Sequence, residues 1–198
     1  MRLAIFGGTF DPIHNAHLAA ARAAAKACAL DRVLFVPASY PPHKRGATAA
    51  GYEDRFRMVE IACQSDGAFE ASRIEEGGGS SYSIRTVERL RAQLPDDDLF
   101  FLIGADAFAE IRTWRRWKDV IRLVEFIVVS RPGHDYDTPE GARIHRLEDV
   151  RIPVSSSEIR RRLAQGGEPP ELPPEVLDYI RRRGLYRHSD VGNHVNLH

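Results

Sequence analysis

Two histidines three residues apart, His14 and His17, follow a glycine pair in the string Gly7-Gly8-Thr9-Phe10-Asp11-Pro12-Ile13-His14-Asn15-Ala16-His17. Residues 3–6 before it form a short apolar run with the character of a strand buried on both faces, and the alanine-rich stretch from Leu18 has strong helix propensity. Gly7 and Gly8 permit backbone angles and close approaches that a Cβ forbids, while Pro12 disfavours helical angles at Asp11, so the helix starts at residues 13–15. At roughly 100° per residue the two imidazoles stand about 60° apart on one face of the first turn. Unpaired N–H groups, the positive end of the helix dipole and two groups that can charge near neutral pH make this a phosphate site. His14 and His17 with Asp11 would also suit a metal ion, but no cysteine or further histidine lies nearby in sequence to complete the shell, and no resident metal is expected.

Other stretches carry chemistry of the same kind. Ser155-Ser156-Ser157-Glu158-Ile159-Arg160 combines a Ser155-x-x-Glu158 capping box with hydroxyls and a guanidinium at a helix start, which is a second phosphate site built on Ser156, Ser157 and Arg160. Arg161 and Arg162 are expected to face solvent. Gly104-Ala105-Asp106 closes an apolar run, and Asp106 can serve either a ribose or the N-cap of the next helix. After Gly77, either Ser81 or Ser83 suits an N-cap. Trp114 and Trp117 fall on one helical face and by default pack in a core. The Pro41-Pro42-His43-Lys44-Arg45 loop reads on composition as a solvated tip.

The elements that must position these residues alternate. Strand-like runs lie at 32–36, 69–75, 99–103, 126–130 and 144–147, and helix-like segments at 15–28, 52–63, 83–94, 114–123 and 174–183, the last stopped by Gly184. The class is α/β: a Rossmann-like doubly wound parallel sheet with helices on both faces and a ligand crevice at the carboxyl ends of its strands. In segment 52–63, Phe56, Val59, Ile61 and Ala62 turn to the sheet, and Glu53, Asp54, Arg55 and Arg57 are expected to face solvent or make helix pairs. Residues 1–187 are expected to form one domain with a helical part at about 155–187, and residues 188–198 a disordered tail.

The 198 residues carry 28 basic and 28 acidic side chains, which argues against a general nucleic-acid or membrane-surface protein. With no apolar run of membrane-spanning length and no leader pattern, a cytoplasmic location is expected. Cys28 and Cys63 read as small core residues.

The string from Gly7 to His17 resembles the signature of the nucleotidyltransferase superfamily, whose core is His-x-Gly-His, and most closely that of the bacterial nicotinate mononucleotide adenylyltransferases. Ala16 stands where that family usually has Gly, close to the adenine ring. The Ser81-Tyr82-Ser83, Gly104-Ala105-Asp106, Trp114 and Val154-to-Arg160 segments, and the Gly184-Leu185-Tyr186 ending, follow the family in order. The resemblance implies adenylyl transfer from ATP, with Mg2+, to nicotinate mononucleotide. It assigns catalytic or phosphate-binding roles to His14, His17, Lys44 and Arg160, and nucleotide contacts to Gly7, Gly8, Thr9, Phe10, Gly104, Asp106, Ser156 and Ser157. It places Ser83 and Trp114 at the pyridine ring and its carboxylate. Arg115 beside them adds positive charge favouring an acid. A nicotinamide mononucleotide or phosphopantetheine acceptor, and a non-catalytic nucleotide-binding regulator on the same fold, are the rival readings. An assembly of identical chains is compatible with these features.

Overall fold

The computed structural model describes residues 1–39, 48–77, 81–130, 135–148 and 154–187. Lys44, Arg45 and the expected tail at 188–198 lie outside the described residues.

Six strands among the described residues, β1 (Arg2–Gly8), β2 (Arg32–Pro37), β3 (Phe69–Ala71), β4 (Asp98–Gly104), β5 (Glu125–Val129) and β6 (Ile144–Leu147), form one sheet in the order β3-β2-β1-β4-β5-β6. Every pairing is parallel. The strand order reverses between β1 and β4, so the crevice of this doubly wound sheet opens where β1 ends in Gly7-Gly8 and β4 in Gly104.

Side-chain alternation along the strands divides the core between the two faces. Ala4, Val33, Phe35, Phe100 and Ile127 pack with α1 (Asn15–Ala27), α2 (Tyr52–Cys63), α6 (Ser156–Ala164) and α7 (Pro174–Arg183). Leu3, Ile5, Leu34, Phe101 and Phe126 pack with α3 (Ser83–Gln93), the short α4 (Ala105–Ala109) and α5 (Trp117–Leu123). Cys28 and Cys63 are buried free thiols in the first cluster, and burial pushes Cys63 up to about 12.

The sequence reading needs five adjustments. β3 stops at Ala71, and Glu75 lies in the turn beyond it. α5 starts at Trp117 because Arg116 takes a left-handed backbone (φ 52), so Trp114 precedes the helix and does not share a helical face with Trp117. Neither Ser81 nor Ser83 caps α3, whose N-cap is Tyr82 with no side-chain bond; likewise Gly104, rather than Asp106, is the N-cap of α4. Arg55 is buried, at 1% exposure.

Candidate active site

The turn leaving β1 is shaped by Phe10. Its ring packs edge-on to Phe6 (centroids 5.6 Å apart) and His17 (5.1 Å), and its backbone is left-handed, φ 48, a conformation a bulky residue holds only where packing enforces it. A Cβ on Gly8 would stand 2.9 Å from the Phe10 ring, so Gly8 is a steric requirement. Gly7 is under no such demand: a methyl there would make an ordinary 3.7 Å contact with Phe101.

α1 begins at Asn15 with His14 as N-cap, and the His14 and His17 rings stack with centroids 3.8 Å apart. His17 Nδ1 accepts the His14 main-chain N–H at 3.2 Å, which places the ring proton on Nε2 and leaves Nε2–H as a donor. The donors of the first turn are fewer than the sequence suggests. The Asn15 N–H donates to the Glu171 carbonyl (2.8 Å), and the His17 and Leu18 N–H groups to the His14 carbonyl. These bonds leave the Ala16 N–H.

Nor are the imidazoles poised to charge in the free protein. Burial pushes His14 down to about 4 against a smaller opposite pull from Glu171. Burial, then the neighbouring His14, holds His17 well below the ordinary range. An anion bound at their exposed edge would favour their charged forms and oppose the shift.

Because the unfolded chain takes up the His14 proton near pH 6.5 and the folded chain only near 4, this group removes stability as pH falls through that window. Denaturant unfolding should therefore show the native chain losing about 2 kcal/mol more than a His14→Gln variant between pH 7 and 5. Equal losses would place the His14 ring in solvent.

The segment that opens α6 folds onto the turn that follows β1. Ser155 caps α6 by accepting the Glu158 N–H (3.2 Å), as the sequence pattern requires. Ser156 Oγ donates to the Pro12 carbonyl (3.2 Å), and Arg160 donates to the Asp11 carbonyl (2.7 Å) and to Ser157 Oγ (3.2 Å). Arg161 is exposed and pairs with Glu158; Arg162 bonds Glu158 and Glu171.

On the other side of Gly8, a cavity of about 700 Å³ is lined by Gly7, Gly8, Thr9, Ala38, Tyr82, Ser83, Phe101, Trp114 and Arg115, with Glu75, Thr86 and Glu110 among its polar groups. Trp114 meets Phe101 edge-on at 5.5 Å, and the Arg115 guanidinium lies 5.1 Å from the Tyr82 ring centre. Thr86, itself buried, donates to Glu75 at 2.7 Å. Trp117 packs on the apolar cluster below, as the default reading has it. Asp106 is exposed on α4, one residue before the cavity-lining Ala107. The predicted residues thus form two connected groups: Ser83, Trp114 and Arg115 around an aromatic cavity, and His14, His17, Ser156, Ser157 and Arg160 around the loop that closes it.

Three supporting residues escaped the sequence reading. Asp11, 4% exposed, accepts the Ala49 and Ala50 N–H groups (2.7 and 3.1 Å) and the Tyr186 hydroxyl (2.7 Å). Burial, then Asp11, pushes Tyr186 up, so it remains a donor. Arg55 donates to the carbonyls of Thr9 (2.7 Å), Ala38 (2.9 Å) and Ala50 (3.3 Å). A signal for Arg55 existed, since with Val59 and Ala62 it lies at i, i+4, i+7 on the apolar stripe of α2. With both Asp11 oxygens taken, the histidine pair has no free third ligand there, and no group of three metal-ligating side chains occurs among the described residues.

Residues 5–162 match the cytidylyltransferase-like family. A Solibacter usitatus protein named "Probable nicotinate-nucleotide adenylyltransferase" is 64% identical over 187 residues, covering 94% of this chain and 100% of the relative. A protein of the same name from Acidothermus cellulolyticus is 41% identical, covering 96% of this chain and 97% of its own. Among solved structures, the Plasmodium falciparum nicotinic acid mononucleotide adenylyltransferase complexed with NaAD shares the fold at a TM-score of 0.78 and 18% identity, covering 93% of this chain and 97% of that one. A Vibrio parahaemolyticus structure described as "a Putative Nicotinate-nucleotide Adenylyltransferase" gives 0.70 at 20% identity, covering 96% of this chain and 98% of that one. With an aromatic cavity joined to a histidine-bearing loop, and with relatives matched along almost their whole length, the chain belongs to the cytidylyltransferase-like family and, within it, to the nicotinate-nucleotide adenylyltransferases.

Proposed function

We infer that this chain transfers the adenylyl group of ATP to nicotinate mononucleotide, forming deamido-NAD and pyrophosphate on the route to NAD. The observation that carries the reading is one loop, Gly8–Phe10, that borders the aromatic cavity on one side and the stacked His14–His17 pair on the other. A mononucleotide with its ring in the cavity has its phosphate directed to the histidines.

The mononucleotide phosphate is already a nucleophile at neutral pH. Its oxygen forms a bond to the α-phosphorus of ATP as the bond from that phosphorus to the bridging β-phosphate oxygen breaks, and pyrophosphate carries away the electron pair. No covalent enzyme intermediate is needed, so the work is alignment and charge stabilisation. His14 and His17 donate to the reacting phosphates, together with the Phe10 N–H. Arg160, Ser156 and Ser157 hold the triphosphate, as does Lys44. Mg2+ arrives as part of the substrate, neutralising that triphosphate. Asp106 and Gly104 serve the adenosine, Trp114 stacks on the pyridine, and the Ser83 main chain with Arg115 receives its carboxylate.

Glu75 and Glu110 also line the cavity, and two carboxylates beside one guanidinium give the amide acceptor a physical footing. Pyrophosphate release from Mg-ATP, measured with each mononucleotide in turn, decides between them. The acid should be preferred, and Arg115→Gln should narrow that preference. A preference for the amide would keep the reaction and overturn the acceptor assignment, while silence with both would overturn the reaction.

A further inference from the structure

The mechanism leaves the buried guanidinium of Arg55 unused. It lies on α2, a helix that contributes no residue to the cavity lining, yet its bonds end at the cavity wall: Thr9 and Ala38, whose carbonyls it holds at 2.7 and 2.9 Å, both line the cavity. Its third bond, to Ala50, returns to the start of its own helix. No carboxylate ion-pairs with it among the described residues; burial weakens its hold on the proton and the Asp11 carboxylate partly offsets this. A fully buried cation spent on main-chain carbonyls fixes backbone geometry, because each of those carbonyls belongs to a planar unit.

We propose that Arg55 is a positioning residue for adenylyl transfer: by holding the Thr9 and Ala38 carbonyls behind the cavity wall, it aims the Phe10 and Ser39 N–H groups into the crevice. The reason is the peptide plane. In a trans peptide the C=O and the following N–H point in opposite directions, so a carbonyl turned toward Arg55 directs the next amide away from it, to the side on which Thr9 and Ala38 face the cavity. At Phe10 this constraint also helps to hold the left-handed φ of 48. A lysine cannot substitute, since a point-charge ammonium on a flexible stem does not present the rigid fork that spans separate carbonyls.

This rests on the adenylyl-transfer reading, and the experiment separates the two. Arg55→Lys and Arg55→Met are assayed for pyrophosphate release while thermal melts report the folded fraction. In the native chain and in each variant, the amide resonances of Phe10 and Ser39 are followed as inorganic pyrophosphate is added. Both variants should lose about 10- to 100-fold in kcat with a far smaller change in KM, and Arg55→Lys should restore little relative to Arg55→Met. The Phe10 and Ser39 amides should shift with pyrophosphate in the native chain and respond weakly in the variants. A folded Arg55→Lys enzyme with native kcat, or a kcat that falls only with the folded fraction, overturns the proposal. Should neither variant fold, Phe10 and Ser39 amides in the native chain that do not respond to pyrophosphate overturn it too, and a response upholds it. A native chain that shows those amide responses, lost in the variants, but transfers no adenylyl group fails the reaction reading and leaves Arg55 as the residue that aims the Phe10 and Ser39 N–H groups at a bound anion.

Discussion

Replacing His17 with alanine should lower kcat by about 10²- to 10³-fold, the typical consequence of removing one preorganised donor to a developing phosphoryl charge. The geometry makes His17 the better candidate of the pair for so large an effect. Its Nδ1 is tied to the His14 main-chain N–H at 3.2 Å, so its Nε2 proton is fixed in kind and direction before substrate arrives. The His14 side chain has no such restraint: its buried Nδ1 lacks a hydrogen-bond partner among the described residues. The substitution frees one main-chain N–H and removes the edge contacts with Phe6 and Phe10 and the stack on His14, so the loss of stability should be about 1–2 kcal/mol, and circular dichroism should be unchanged. Steady-state pyrophosphate release, with the melt recorded alongside, checks both parts. A folded His17→Ala enzyme at native rate would remove His17 from the chemistry and shift the charge stabilisation to Arg160 and the main chain.

The sheet and its crevice could be read from sequence because the apolar runs are short, regular and separated by amphipathic segments, and such patterns depend only on which face is buried. That one turn gathers several candidate residues was legible for a related reason. Gly8, His14 and His17 sit at fixed offsets in one turn, so local spacing alone brings them together. What resisted reading was contact across the chain. Asp11 meets Ala49, Ala50 and Tyr186, partners distant in sequence that no local pattern pairs. Arg55 looked like one more charge on a charged helix, although its helical phase placed it inward. The break at Arg116 was equally hidden, since a left-handed residue other than glycine carries no compositional mark, and it moves Trp114 from a packed helical face to the cavity wall. The ionisation of the histidines was misjudged for the same reason: it depends on burial by elements that arrive from elsewhere in the chain.

Asp11→Ala should be the most destabilising single change at the site, lowering stability by about 3–5 kcal/mol, because it leaves two main-chain N–H groups and the Tyr186 hydroxyl without their acceptor. At about 2–4 °C per kcal/mol for a chain of this size, that is a fall of about 6–20 °C in Tm. Asp11→Asn separates charge from geometry. Oδ1 accepts both the Ala50 N–H and the Tyr186 hydroxyl and survives in asparagine, whereas the new amide group would face the Ala49 N–H donor to donor. Asp11→Asn should therefore cost clearly less than Asp11→Ala, and Tyr186→Phe less again, since it removes one donor and leaves the carboxylate with two partners. Thermal melts of the three variants should fall in that order. If Asp11→Ala melted with the native chain, the bonds from Ala49, Ala50 and Tyr186 would carry no net stabilisation. The Arg160 bond gives the same series a second use. It ends on the Asp11 main-chain carbonyl, which every variant retains, so α6 keeps its grip on the loop after β1 even where the carboxylate is gone. Activity measured well below each variant's Tm should accordingly fall less steeply than stability, because the side chain of Asp11 anchors the loop while Arg55 and Arg160 hold its carbonyls in place.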